Sequence, residues 1–171
     1  LLEAELRPFY RLIVWDNSRR ENRRVYGRYL GAQEAETEFV YVQDDDCLVD
    51  VKLLCEMYEP GELLCNVLKS HQPHYQDGIT LVGWGSIFPR SLIDFSPYLD
   101  QYPEDELFDR ECDRIFTYLN RDVTRVVDIG LAHMSKAFGG DRMGREARHG
   151  DDLREVRKRL YNLDRMARKP A

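Results

Sequence analysis

Short apolar runs alternate with helical stripes through the first 68 residues, and that alternation limits the folds open to the chain. Arg11-Leu-Ile-Val-Trp15 is a compact apolar run that stops at Asp16-Asn17-Ser18, the pattern of a buried strand meeting a loop. Residues 22–35 carry Val25, Tyr29 and Ala32 at helical spacing, with Arg23, Arg24 and Arg28 outside the stripe, which predicts a helix. Phe39-Val-Tyr-Val42 predicts a second buried strand, Val51–Tyr58 a short helix ended by Pro60-Gly61, and Leu63–Leu68 a third strand. Residues 1–7 also read as helical. Strands apolar on both faces, alternating with helices, predict an α/β fold with a mainly parallel sheet flanked by helices.

The second half is less regular. A polar loop at Ser70–Gly78 leads to a short strand near Ile79–Val82, and the small-residue turn Gly83-Trp84-Gly85-Ser86 leads into Ile87-Phe88. Glycine there permits close approach of the backbone to another group. Residues 104–119 predict a helix with Leu107, Phe108, Cys112, Ile115, Phe116 and Leu119 on its apolar side. Val123–Val127 predicts a strand. A Gly-rich loop over 137–150 precedes a last, basic helix over 150–168 with the stripe Leu153, Val156, Leu160 and Leu163.

The chain has 171 residues, 43% of them hydrophobic and 33% charged, a composition that supports one globular domain spanning 1–171. No apolar run approaches the ~20 residues needed to cross a bilayer, and no signal peptide is legible, so a cytoplasmic location and no membrane insertion are expected. Cys47, Cys55, Cys65 and Cys112 form no CxxC pair and are expected to be reduced, buried thiols. The net charge of -6 is unevenly spread: residues 1–141 carry 15 basic and 26 acidic side chains, residues 142–171 carry 10 and 5. The acidic body opposes wholesale capture of nucleic acid, whereas the basic tail reads either as a solvated helix face or as a local phosphate contact.

The sharpest chemical feature is Gln43-Asp44-Asp45-Asp46, directly after a predicted strand. Ligand sites of open α/β sheets lie at the carboxyl ends of strands. Adjacent carboxylates repel one another in a partly desolvated crevice unless a cation compensates, and hard oxygens select magnesium, manganese or calcium. In an extended segment Asp44 and Asp46 project to one side and Asp45 to the other. The competing reading is a solvated acidic turn with a helix N-cap.

The segment Val40-Tyr-Val-Gln-Asp-Asp-Asp-Cys-Leu48 resembles the DXD metal motif of GT-A-fold glycosyltransferases, with family 2-like and exostosin-like traits. Leu12-Ile-Val-Trp-Asp-Asn-Ser18 is similar to the second strand of that fold, and Tyr26-Gly-Arg-Tyr-Leu-Gly-Ala32 to the helix after it. Gly83-Trp-Gly-Ser-Ile-Phe-Pro-Arg90 resembles the glycine-containing strand beneath the sugar, and Arg110-Glu-Cys-Asp-Arg114 the acidic motif of the next helix. His149-Gly-Asp-Asp-Leu-Arg154 resembles a late histidine segment. Each motif is short; their order over residues 11–160 carries the likeness. The first strand of that fold has no counterpart, because only ten residues precede Arg11, so the chain is expected to be N-terminally incomplete.

The resemblance implies a nucleotide-diphospho-sugar transferase that holds Mn2+ or Mg2+ with Asp44, Asp46 and His149. The metal would neutralise charge on the departing diphosphate. Asp16, Asn17, Arg28, Asp44, Asp45, Gly83, Trp84 and Gly85 would contact the donor, expected to be a UDP-sugar. Asp113 would be the base for the acceptor hydroxyl, with Glu111 and Asp109 behind it, implying inversion and hexosyl transfer, whereas the exostosin-like character of Glu111-Cys112-Asp113 would imply retention. His133 competes with His149, while His71 and His74, without a zinc-spaced partner, read as loop. The acceptor is open among a saccharide, a polyketide or protein hydroxyl, and a hydroxymethylated base of viral DNA modified in the host cytoplasm. The alternatives are a non-catalytic calcium- or sugar-binding module and a nucleotidyltransferase, although no Gly-rich phosphate loop is legible near the N-terminus.

Overall fold

The computed structural model describes residues 11–75, 77–133 and 149–167, with His133 and His149 placed by their backbone alone. The helix expected over residues 1–7 and most of the Gly-rich loop lie outside the described residues.

Four strands form the main sheet: β1 (Phe39–Val42), β3 (Leu63–Asn66), β4 (Ser86–Pro89) and β5 (Thr124–Val127), in the order β1-β4-β3-β5. A two-stranded ribbon joins β2 (Cys47–Leu48) to β6 (Ala132–His133). The helices are α1 (Gly27–Gln33), α2 (Val51–Met57), α3 (Ser96–Leu99), α4 (Glu106–Leu119) and α5 (His149–Ala167). The fold is therefore mixed α/β.

The sheet corrects the expectation of a mainly parallel arrangement. Only the β3–β5 pair is parallel, with Leu63 opposite Thr124 and Asn66 opposite Val127. Strand β4 runs antiparallel to both neighbours, setting Val40 opposite Phe88 and Leu64 opposite Ile87. Among its described residues the connection from Asn66 to Ser86 contains nothing longer than a 3-10 turn at Gln72–His74, and the chain returns antiparallel without a helical crossover there.

Period-two alternation divides the core. Val40, Val42, Leu63, Cys65 and Phe88 face one side with Tyr29, Phe95, Phe108, Phe116, Val156 and Leu160. Leu64 and Ile87 face the other side with Leu54 of α2, against Tyr41 and Met57. On the larger side Tyr26, Tyr29, Phe95, Phe108 and Phe116 meet edge-on or tilted, with ring centroids from 4.8 to 6.4 Å apart. Such pairs contribute roughly 0.5–1.5 kcal/mol each beyond their buried area. The amphipathic stripe of α4 is as expected, and Asp105 caps it by accepting from the Phe108 amide at 2.8 Å. Asp50 caps α2 in the same way through Leu53 at 2.9 Å. Helix α5 buries Val156 and Leu160 and is tied to α4 by Arg110–Asp152 and by the Tyr118 hydroxyl donating to Asp164.

Two expected strands do not form. Residues 11–15 pair with no strand among the described residues. Ile13 and Trp15 instead lie on the glycine face of α1, where a Cβ at Gly27 would stand 2.2 Å from the Trp15 ring and one at Gly31 3.6 Å from Ile13. Leu12 and Val14 point outward, 50% and 66% exposed, so the run is packed on one face only. At residues 79–82 the backbone is served by side chains in place of a ladder: the Thr80 amide donates to Thr117 Oγ1 at 3.0 Å, and Ser86 Oγ donates to the Val82 carbonyl at 2.9 Å. The helix expected over 22–35 is a 3-10 turn at Arg24–Tyr26 followed by α1. Cys47, Cys65 and Cys112 are buried and, against expectation, Cys55 is exposed because it lies on the outer side of α2.

Candidate metal and anion site

The acidic run follows β1 as a turn rather than as continued extended chain. The Cys47 amide donates to the Asp44 carbonyl at 3.4 Å, and the Asp44 amide donates to the Gly83 carbonyl at 2.8 Å. This turn, not strand alternation, brings carboxylate oxygens of Asp44 and Asp46 and the Cys47 sulfur within 4.8 Å of one another. Asp45 and Asp46 are exposed, Asp44 is half-buried. Gln43 braces the turn: it accepts from the Tyr41 hydroxyl at 2.5 Å and donates to the Cys47 carbonyl at 2.7 Å.

Arg28 stands at the centre. Its Nη2 donates to Asp44 Oδ1 at 2.5 Å and its Nη1 to Asp113 Oδ2 at 3.1 Å, while the buried Tyr29 hydroxyl donates to Asp113 Oδ1 at 2.9 Å. Neighbouring residues at the start of α1 thus hold both oxygens of one carboxylate on α4. One helical turn earlier, Asp109 accepts from Arg23 at 3.0 and 3.2 Å. Positions i and i+4 share a helix face, so two arginine–aspartate contacts fasten the segment around α1 to α4. Gly83 closes the cluster: a Cβ there would lie 2.2 Å from Asp44 Oδ2 and 2.7 Å from Arg28 Nη1. The turn after it needs Gly85, whose φ is 97°.

Burial pushes the Asp44 carboxyl up to about 6, with Arg28 opposing and Asp113, Asp46 and Asp45 reinforcing the rise. Burial works against the Arg28 charge, but Asp113 and Asp44 more than offset it and its pKa is raised. Tyr29 is pushed well up, first by burial and then by Asp113, and remains a donor. The Cys47 thiol is raised by burial and donates to Asp46 Oδ1 at 3.3 Å.

These donors fit a hard divalent cation. Asp44 and Asp46 offer convergent oxygens of the kind magnesium and manganese take. The Cys47 sulfur lies beside these oxygens as the softer member of the group.

The other expected residues are distributed unevenly. Asp113 is not a surface charge but part of the Arg28 cluster. Glu111, two residues away on α4, is 2% exposed and paired with Arg114; two residues turn a helix by about 200°, so it leaves the Asp113 side. Asp16 is half-buried and occupied by Ser18. Asn17 Oδ1 accepts from Trp15 Nε1 and the Arg23 amide. Trp84 is half-buried with its carbonyl accepting from Asn66, and the His71 ring meets it edge-on at 4.9 Å. The His149 side chain lies outside the described residues. The backbone of His133 stands opposite Cys47 in the β2–β6 ribbon.

Sequence reasoning missed Tyr29, read as a core-stripe residue, and Asn66. The wholly buried Asn66 side chain donates to the carbonyls of Trp84 and Gly130 and accepts from the Ile129 amide, at 3.0, 2.9 and 3.1 Å. A lone amide within the apolar run Leu63–Leu68 was the available signal.

No family model, curated protein or solved structure matches this chain. Among the described residues no helix is long and apolar enough to cross a membrane.

Proposed function

We propose that the chain is a metal-dependent glycosyltransferase core that uses a nucleotide-diphosphate sugar, with Mn2+ or Mg2+ held by Asp44 and Asp46. The observation that carries this reading is the convergence of the Asp44 and Asp46 carboxylates beside Arg28 and Asp113 at the end of β1. Cleavage of a sugar–phosphate bond leaves negative charge on a diphosphate, and a bound divalent cation supplies the Lewis acid that receives it. Arg28, held between Asp44 and Asp113, adds a second, permanent positive charge to the field of the site. Asp113, oriented through both oxygens by Arg28 and Tyr29, takes the proton of the acceptor hydroxyl, and attack opposite the leaving group inverts the anomeric centre. Gly83 lets the backbone come close to the cluster, and Trp84 beside it offers a face for a sugar or base.

A UDP-sugar is the donor proposed, and the acceptor hydroxyl belongs to a saccharide, a polyketide, a protein or a hydroxymethylated base of DNA. Calorimetric titration of UDP and UDP-sugars with and without Mn2+, on the native chain and on the Asp44→Ala, Asp46→Ala double variant, tests the reading. Binding that requires both metal and aspartates is expected. Binding of Mn2+ or Ca2+ with indifference to every nucleotide would replace it with a non-catalytic ion-binding module.

A further inference from the structure

Arg28 is a cation fixed inside the site proposed to hold a divalent cation, and it occupies the same carboxylate. Its Nη2 lies on Asp44 Oδ1 at 2.5 Å. Asp44 has little freedom to move away, because its backbone amide is bound to the Gly83 carbonyl and its Oδ2 lies against the Gly83 backbone, where a Cβ would come within 2.2 Å. The Arg28 side chain is only 16% exposed and has a second seat, Asp113 Oδ2 at 3.1 Å. That seat is itself fixed, since the Tyr29 hydroxyl holds Asp113 Oδ1 at 2.9 Å. A guanidinium stays charged at any physiological pH.

We infer that Arg28 is a resident counter-charge that competes with the divalent cation for Asp44, and that Asp113 is the positioning residue that moderates this competition by holding part of the guanidinium. The inference rests on the metal-dependent reading of the site. Two like charges sharing one carboxylate weaken each other's hold on it, and the half-buried setting leaves that repulsion only partly screened. Asp113 draws the guanidinium toward α4; without that carboxylate, Arg28 is left to Asp44 alone. Two substitutions therefore change metal affinity in opposite directions. Loss of the Arg28 charge tightens binding, and loss of the Asp113 charge weakens it. A purely structural role for either residue would weaken binding in both cases.

The test is Mn2+ titration of the full chain without nucleotide, followed by the electron paramagnetic resonance of free Mn2+, with near-UV circular dichroism confirming native packing. Arg28→Gln is expected to lower the Mn2+ Kd by about tenfold, and Asp113→Asn to raise it several-fold. Arg28→Lys keeps the charge without the fork that bridges two carboxylates, so tightening by glutamine but not by lysine assigns the effect to charge. Binding by Arg28→Gln alone, with the native chain silent, also supports the competition. Equal affinity of the native chain and the folded variants overturns the inference while leaving the metal site standing. Weaker binding in Arg28→Gln, or unweakened binding in Asp113→Asn, likewise overturns it. Silence in every protein overturns both the inference and the metal reading beneath it.

Discussion

Arg28 and Asp113 are 85 residues apart in the chain and meet at 3.1 Å, Nη1 of the guanidinium donating to Oδ2 of the carboxylate. With Asp44 on the other arm of the guanidinium, the contact joins α1, α4 and the turn after β1 into one electrostatic unit. Four expectations follow from the placement of this unit and its supports.

Asp113→Asn keeps the side-chain volume and removes the base. Turnover of a UDP-sugar should fall by about 10²–10⁴-fold even when Mn2+ is raised enough to offset this variant's several-fold weaker metal binding and the donor is bound. Tyr29→Phe removes one hydrogen bond to the same carboxylate and should cost about 1 kcal/mol of stability, with a fall in kcat and little change in donor KM. Steady-state kinetics beside denaturant melts would check both, and full turnover by Asp113→Asn would remove it from the reaction.

The raised Asp44 pKa, about 6, gives opposite signs for folding and for metal. The native carboxyl binds its proton more tightly than the unfolded chain does, so this group's contribution to stability is complete below about pH 4 and is lost as pH rises through about 6. Its side chain is 37% exposed, and solvent screens part of the effect. Metal requires the carboxylate, so Mn2+ affinity should fall as pH drops below about 6, approaching tenfold per unit. Titrations from about pH 5 to about pH 7.5 would show this, and a flat profile would remove Asp44 as a ligand.

Gly83→Ala places a methyl group where Asp44 Oδ2 and Arg28 Nη1 stand, 2.2 and 2.7 Å from the new carbon. The substitution should destabilise the fold by roughly 1–3 kcal/mol and abolish Mn2+ binding. Gly61→Ala is the control for strain without crowding, since Gly61 has a φ of 94° but no atom within 4 Å; it should lose stability and keep metal affinity.

Asn66→Leu fills the same space and leaves two carbonyls and an amide without their buried partner. Each such group costs about 1–3 kcal/mol, so the variant should unfold at markedly lower denaturant concentration. A midpoint unchanged from the native chain would show that the loops around Trp84 and Gly130 do not depend on it.

Much of the local structure was legible in residue patterns. The apolar runs at 39–42, 63–66 and 124–127 are strands, and the stripes of α4 and α5 face the core as their spacing requires. The acidic turn was also visible as a cluster after a strand. Failure came where pattern and partner diverge. Residues 11–15 are apolar enough for a buried strand yet pack only Ile13 and Trp15 on α1, because a ladder needs a neighbouring strand that local composition cannot supply. Residues 79–82 are buried without a ladder because Thr117 and Ser86, distant or later in sequence, take their backbone groups.

What the sequence determined by itself is therefore periodic: which segments are helical or extended, which faces are apolar, and that three carboxylates follow β1. Tertiary structure alone decided the reversal of β4, the assignment of Asp113 to Arg28 and Tyr29, and the turning of Glu111 away to Arg114. The physical reason is range. Periodicity records the side a residue must bury, a property of neighbours along the chain, whereas a salt bridge or a strand pairing depends on which groups folding brings within a few ångströms across the sequence.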